Sequence, residues 1–333
     1  MHKKRNYIIL GIIITVCSCC ILAGILYSRF VNFHVESRTV YIDSDDTQDS
    51  VWRKTGLEWR GPLLNKMFPY KRVRTGRYEI TQENDILSLY RKIRNGQQDP
   101  IRLTIPASRT MEKLAGALSD KLMLDSLTLI SAFGNEDFCS TIGYTKATLP
   151  ALFIPNTYEV YWDVSLQRLI NRMIKENKAF WNEEREAKAQ SLHLTHEEIS
   201  TLASIVDEET ANNEEKPIIA GLYLNRLRKG MLLQADPTVK FAVGDFSLRR
   251  ITGQHLTVES PYNTYINMGL PPGPIRIASI KGLDAVLNHR QHNYLYMCAK
   301  ADFSGTHEYA VTFGEHMKNA RRYIRALNER NIH

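Results

Sequence analysis

Three successive acids, Asp207-Glu208-Glu209, close an otherwise apolar segment, Leu202-Ala203-Ser204-Ile205-Val206. Upstream, Thr195-His196-Glu197-Glu198 has the spacing of a capping box, which predicts a helix starting there. At about 100° per residue, Ile199, Leu202, Ile205 and Val206 share one face and Glu209 falls inside that stripe. Asp207 and Glu208 are expected to point away from it. A carboxylate on an apolar face loses solvation of its charged form, so its pKa rises. That property prepares a general acid to work near neutral pH. The competing reading of the same pattern is a structural ion pair, with Arg226 one helix later as the partner.

Other chemistries find less support. His193 and His196 are three residues apart, as are His289 and His292, but neither pair has the His-Glu-x-x-His form. No metal site is expected, and no cofactor. The Gly-x-Ser-x-Gly signature of a serine nucleophile does not occur.

The blocks around the acids are more informative than the acids alone. They run Leu202 to Thr210, Asn225-Arg226-Leu227, Gly230-Met231-x-Leu233-Gln234-x-Asp236-Pro237-Thr238-Val239, and Tyr262-Asn263-Thr264-Tyr265 through Gly269-Leu270-Pro271-Pro272-Gly273-Pro274-Ile275. In this order and with these gaps they resemble the signature blocks of the YceG-like family of membrane-bound endolytic murein transglycosylases. Weaker similarity reaches back to about residue 40 and includes Phe153-x-Pro155-x-Thr157-Tyr158, where many members carry Asp at the place of Asn156. A C-terminal block, Gly305-x-His307-x-Tyr309 and Glu315-His316, also matches, with Met317 where Asn is common.

The resemblance implies a reaction on peptidoglycan glycan strands. The β-1,4 bond between N-acetylmuramic acid and N-acetylglucosamine is cleaved, and the muramic acid's own C6 hydroxyl takes the place of water. Glu209 matches the family's catalytic Glu, acting first as acid and then as base. Asp207 stands where Glu is common, which suggests a supporting role. Ordinary glycosidases need two carboxylates, whereas a tethered nucleophile removes the need for an activated water. Asn225, Gln234, Asp236, Tyr262, Asn263 and Tyr265 are the candidate substrate-binding residues: amides and phenols suit sugar hydroxyls and acetamido groups, and aromatic faces pack on pyranose rings. Each also has a plainer reading. Asp236 before Pro237 could organise a turn, and Tyr262 to Tyr265 could be a loop held by side-chain to backbone bonds. Leu270 to Pro274 reads as a rigid cleft wall. Two other functions remain open at this point: a non-catalytic peptidoglycan-binding scaffold beside the cell-wall synthases, and a hydrolase using Asp236 as second carboxylate.

These residues need a frame to position them. Asn6 to Ser28 carries no formal charge and spans roughly 34 Å as a helix, enough for a hydrocarbon core of about 30 Å. Lys3, Lys4 and Arg5 precede it, so a single-pass anchor is expected, with the N-terminus cytoplasmic and the remainder outside the inner membrane. A cleaved signal peptide is the alternative, but Arg29 to Phe33 is a poor processing context. Val16-Cys17-Ser18-Cys19 loosely resembles a lipoprotein site. Beyond the anchor only Cys139 and Cys298 remain, so at most one disulfide is possible there. The formal net charge is +7, of which the three anchor-flanking cations contribute a large part, too little basic excess to argue for nucleic acid.

The fold expected is α+β: tip and anchor over 1–30, a small module over 37–106 that the resemblance describes as LysM-like, and a larger mixed catalytic domain over 107–333. Strands are predicted at Thr39 to Ile42, Gly76 to Ile80, Ile101 to Ile105 and Tyr294 to Cys298. Helices are predicted over 86–95 with Gly96 as C-cap, 110–122, 166–174, 195–209, 217–229, 280–288 and 314–329. The charged stretch 182–188 is read as a solvated helix end or linker.

Overall fold

A computed structural model of the chain describes residues 2–31, 36–70, 72–248 and 251–330. The junction read as a poor processing site runs into residues 32–35, which lie outside the described residues. Helix α1 (His2–Val31) contains the apolar run Gly11–Ser28, long and apolar enough to cross a membrane. Ile12, Ile13, Leu22, Ile25 and Leu26 on it are exposed, so its apolar surface is not buried by the rest of the protein.

The chain divides into two compact units, residues 1–101 with 159–164, and residues 102–158 with 165–333. The first contains β1 (Arg38–Ile42), α2 (Gln48–Thr55), α3 (Arg60–Met67), β2 (Gly76–Ile80) and α4 (Ile86–Asn95). β1 and β2 pair antiparallel, with Val40 opposite Tyr78. Their inward side chains, Val40, Ile42, Tyr78 and Ile80, close on Trp52, Leu89, Tyr90 and Ile93. The spacing of the last three made α4 predictable, and its ends are those expected: Asp85 accepts from the Leu87 and Ser88 amides, and Gly96 turns left-handed at φ 66°. α2 and α3 carry no such clear periodicity and were not expected. α2 is set instead by its caps, Thr47 at one end and left-handed Gly56 at the other.

The second unit is mostly helical. Strand β3 (Ile101–Thr104), apart from its first residue, and the first half of β4 (Thr157–Val160) belong to it, and the two strands pair. Between them lie α5 (Met111–Ser119), α6 (Ser126–Phe133) and α7 (Glu136–Thr141), and after them α8 (Leu166–Phe180) and α9 (Glu183–Leu192). The charged stretch 182–188, read as a solvated helix end or linker, is the first part of a helix of its own, α9. Asn182 caps it by accepting from the Arg185 amide, and three glutamates in its first turn complement the helix dipole. Then come α10 (His196–Glu209), α11 (Lys216–Arg228), α12 (Asp236–Val243), the short α13 (Gly253–Leu256), α14 (Ile280–Leu287), the hairpin β5 (Tyr296–Ala299) and β6 (His307–Ala310), and α15 (Phe313–Glu329). Cys139 and Cys298 are both free thiols.

α10 is the centre of this unit. Thr195 and Glu198 form the reciprocal capping box, and every residue from Ile199 to Val206 is buried. An amphipathic helix would expose one side, and this one does not. Its polar residues are buried because their hydroxyls bond locally: Thr201 Oγ1 donates to the Glu197 carbonyl, and Ser204 Oγ donates to that of Thr201 while accepting from the Ile275 amide. α11 and α14 pack against α10, sharing Ile205, Ile219, Leu222, Tyr223, Leu283 and Val286 in one core.

Candidate active site

Because α10 is enclosed, the three acids at its end all leave into protein. Asp207 and Glu208, expected to point away from the apolar stripe, therefore meet protein as well, since a helical wheel assumes one buried face. The Asp207 side chain is 3% exposed and forms a 2.7 Å ion pair with Lys216 at the start of α11. It also accepts from the amide (2.6 Å) and hydroxyl (2.8 Å) of Ser279, the N-cap of α14. Gly282 permits this approach: a Cβ there would sit 2.7 Å from the Asp207 carboxylate. Asp207 thus ties the ends of three helices together. Glu208 is held by two arginines, accepting at one oxygen from Arg109 Nε (2.9 Å) and Arg276 Nη1 (2.7 Å).

Glu209 is different. It accepts one hydrogen bond, 2.6 Å from the Tyr223 hydroxyl on α11, and among the described residues no Lys or Arg forms an ion pair with it. Some of its surface is still reachable by solvent although protein surrounds it. Burial drives its pKa up. The Tyr223 bond and the charge of Lys240 pull it down, the charges of Asp236 and Glu208 push it up, and the outcome is about 7. A carboxyl balanced there can give a proton and take one back near neutrality. The Tyr223 hydroxyl, fully enclosed beside a carboxylate, is held well above the usual phenol range and stays a donor.

Arg226, the partner in the competing ion-pair reading, is spent elsewhere. Its Nε donates to the Leu295 carbonyl (2.6 Å) and its Nη1 to the carbonyls of Leu233 (2.8 Å) and Leu232 (3.2 Å) and to Gln234 Oε1 (3.3 Å). It fastens the 232–234 segment and the start of β5 to α11.

The six candidate binding residues divide. Gln234 and Asp236 are exposed. Gln234 adopts a left-handed φ of 50°, an uncommon conformation for a residue with a Cβ, held by its amide bond to the Thr264 carbonyl and by Arg226. Asp236 opens α12 and accepts from the Tyr265 hydroxyl at 2.6 Å. Tyr262 is half-buried with its ring 4.7 Å from that of Phe241. The two asparagines are bonded to loop backbone. Asn263 is wholly buried, its amide donating to the Leu256 and Val258 carbonyls and its oxygen accepting from the Tyr265 amide. Asn225 donates to the carbonyls of His292 and Tyr294. Both asparagines fold loops, because an unpaired loop carbonyl inside the protein is costly and a carboxamide supplies the missing donor.

Tyr223 was not foreseen. It lies mid-helix among apolar neighbours, and nothing in its local pattern separates it from a core tyrosine. The return of α11 alongside α10 is what brings it to Glu209.

Residues 45–322 match the model of the YceG-like family. A Bacillus subtilis protein named endolytic murein transglycosylase is 29% identical over 274 residues, covering 77% of this chain and 74% of that protein. One of the same name from Streptococcus pneumoniae is 25% identical over 307 residues, covering 81% of this chain and 55% of that protein. A crystal structure of a YceG-like protein from Listeria monocytogenes superposes with a TM-score of 0.58 at 25% identity, covering 85% of this chain and 98% of that one.

Proposed function

The chain belongs to the YceG-like family, and on that premise we propose that it is a membrane-anchored lytic transglycosylase acting within peptidoglycan glycan strands, with Glu209 as its single acid and base. The observation that carries this reading is one carboxyl, bonded by Tyr223, balanced at a pKa of about 7 and, among the described residues, in no ion pair with a Lys or Arg.

In the first step the protonated Glu209 gives its proton to the glycosidic oxygen as the C1–O bond of N-acetylmuramic acid breaks. The N-acetylglucosamine departs with a free 4-hydroxyl. The C6 hydroxyl of the same muramic acid then attacks C1, and its proton passes to the Glu209 carboxylate. The product is a 1,6-anhydro end, and the enzyme returns to its starting protonation state with no water consumed. The tethered C6 hydroxyl supplies the proximity that a second catalytic carboxylate would otherwise have to create. Tyr223 keeps its proton throughout and orients the carboxyl. Gln234, Asp236, Tyr262 and Tyr265 are the side chains offered to the sugars. α1 holds the enzyme at the membrane, with Lys3, Lys4 and Arg5 on the cytoplasmic side and the catalytic unit outside, where new strands and their synthases are found.

A second reading is favoured by one contact. Asp236, fixed by Tyr265 and electrostatically coupled to Glu209, could activate a water instead, which would make the enzyme a hydrolase. Mass spectrometry of purified glycan strands after incubation with the full chain separates the readings. Internal cuts ending in 1,6-anhydromuramic acid, lost in Glu209→Gln, are expected. Reducing ends would identify a hydrolase. Intact strands that still bind would identify a scaffold.

A further inference from the structure

Arg109 and Arg276, which hold Glu208, line a cavity of about 360 Å³ of which the chemistry above uses only Tyr262. Its size is at the low end of pockets that enclose small ligands, roughly 300–1,000 Å³. Phe241, Phe246 and Tyr262 make an aromatic wall; Arg109, over the Phe246 ring at 5.8 Å, Lys146 and Arg276 also line the cavity, and Glu112 is the one carboxylate among its lining residues. A narrow space lined by Arg109, Phe246 and Ile275, which also line the cavity, extends to Glu208 and Lys240. Glu208 precedes Glu209, and Lys240 acts on Glu209 through its charge. Through this space the cavity reaches Glu208 and Lys240, the neighbours of the proposed acid.

The charges here do not balance. Glu208 is one carboxylate shared by two guanidinium groups at a single oxygen. Arg109 uses only its Nε on it, and its side chain is 44% exposed. The Nε of Arg276 is buried with no acceptor. Lys240 forms no ion pair among the described residues, and Lys146 meets Glu136 only at 3.8 Å. Such a set of under-used cations in a half-enclosed, partly apolar site is built for a carboxylate carried on small apolar groups.

From this we infer that the cavity is a subsite for the peptide stem of the substrate, gripping a stem carboxylate with Arg109 and Lys146 and its aliphatic side chains with the aromatic wall. The inference rests on the transglycosylase reading, which it extends from the glycan to its substituent. The stem is attached through the lactyl ether at C3 of the same muramic acid whose C1 is cut. A sugar placed with C1 at Glu209 must therefore put the stem within about one ring of it, and the cavity, joined to Glu208 and Lys240 by the narrow space, is the charged recess adjoining that end of α10. The enzyme would then select muramic acids that bear an uncapped, carboxylate-rich stem.

The test uses the full chain carrying Glu209→Gln, so that ligand is not consumed. Isothermal titration compares an N-acetylglucosaminyl-N-acetylmuramoyl peptide having free stem carboxylates with the same molecule having those carboxylates amidated. The acid form is expected to bind about tenfold tighter, the worth of one or two charge-assisted contacts. Adding Arg109→Gln should remove most of that ratio. Because Arg109 also supports Glu208, Lys146→Met provides an independent variant and should reduce the ratio by about threefold. Equal affinities for the two ligands, or a ratio untouched by both variants, would overturn the subsite. Cleavage of glycan strands by the unaltered chain is followed in parallel. A failed transglycosylase reading shows as no anhydro ends whatever the ratio, and a failed subsite shows as equal affinities with cleavage intact.

Discussion

Two glutamates six residues apart, Glu209 and Glu215, sit at opposite ends of the turn between α10 and α11 and are driven in opposite directions. Burial pushes the pKa of each upward. At Glu215 the His307 amide (2.7 Å), the Tyr309 hydroxyl (3.0 Å), the His307 ring and the Thr210 hydroxyl converge on the carboxylate, and together they bring it below the ordinary range. At Glu209 one phenol donates, neighbouring acids repel, and the value settles near 7. Burial does not decide whether an enclosed carboxyl is structural or reactive. The number of donors aimed at its charged form does.

The comparison can be broken most severely at its reactive end. Glu209→Gln should lower strand cleavage by at least about 10³-fold, measured as anhydro ends released per unit time, because it removes the acid and the base together. Retained activity would sink the assignment of Glu209.

At the structural end, Glu215→Ala should destabilise the catalytic unit by about 3 kcal/mol in urea unfolding at pH 7, since several enclosed donors lose their acceptor. Glu215 has a depressed folded-state pKa. Its contribution is present above the ordinary carboxyl pKa and is lost as pH falls through the lower folded value, so the gap between the two proteins should narrow in acid. A gap that widens in acid would contradict the donor count.

Glu209 should show the reverse sign. Its folded-state pKa is raised from 4.5 to about 7, so the charged form costs stability, by nothing below 4.5, increasingly between those values, and in full above about 7. Glu209→Gln should then be more stable than the unaltered protein at pH 8, by about 1–3 kcal/mol, and no more stable at pH 4. Differential scanning calorimetry at the two pH values decides this.

The smallest change sharpens the contrast. Tyr223→Phe removes the one donor that lowers the Glu209 pKa. The alkaline limb of the pH–rate profile, set near 7 by the need for a protonated acid, should move up by less than about one unit, with a rate loss of about tenfold at most. An unmoved limb with a much larger loss would mean that Tyr223 acts on the substrate rather than on Glu209.

Much of this was readable from local pattern. The capping box of Thr195 and Glu198, the caps of α4, Pro217 at the start of α11 and the apolar stripe leading to Glu209 are all written within a few turns of chain. Local geometry follows local residues, because caps and helical faces depend on neighbours three or four positions away. The length and apolar character of α1 belong to the same class. So does the ordered series of blocks that marked the family.

The rest depended on what surrounds each element. Whether Asp207 faced water or Lys216 could not be read from a wheel, since the other side of α10 is covered by α14 and α11. Arg226 was a reasonable partner for Glu209 until the 232–234 segment and β5 brought carbonyls to it. Asn225 and Asn263 have the chemistry to bind a sugar, but their amides are consumed by loop carbonyls, in Asn225 by ones nearly seventy residues away. Sequence alone determined that this chain carries an apolar span, a capped helix ending in three acids, and a carboxyl on an apolar stripe. Only the tertiary structure decided which acid stays unpaired, that Tyr223 is its donor, and that a cationic cavity lies beside it. Residue types set which interactions are possible; packing sets which partners arrive, and each arriving partner uses up a donor or acceptor that sequence can only count.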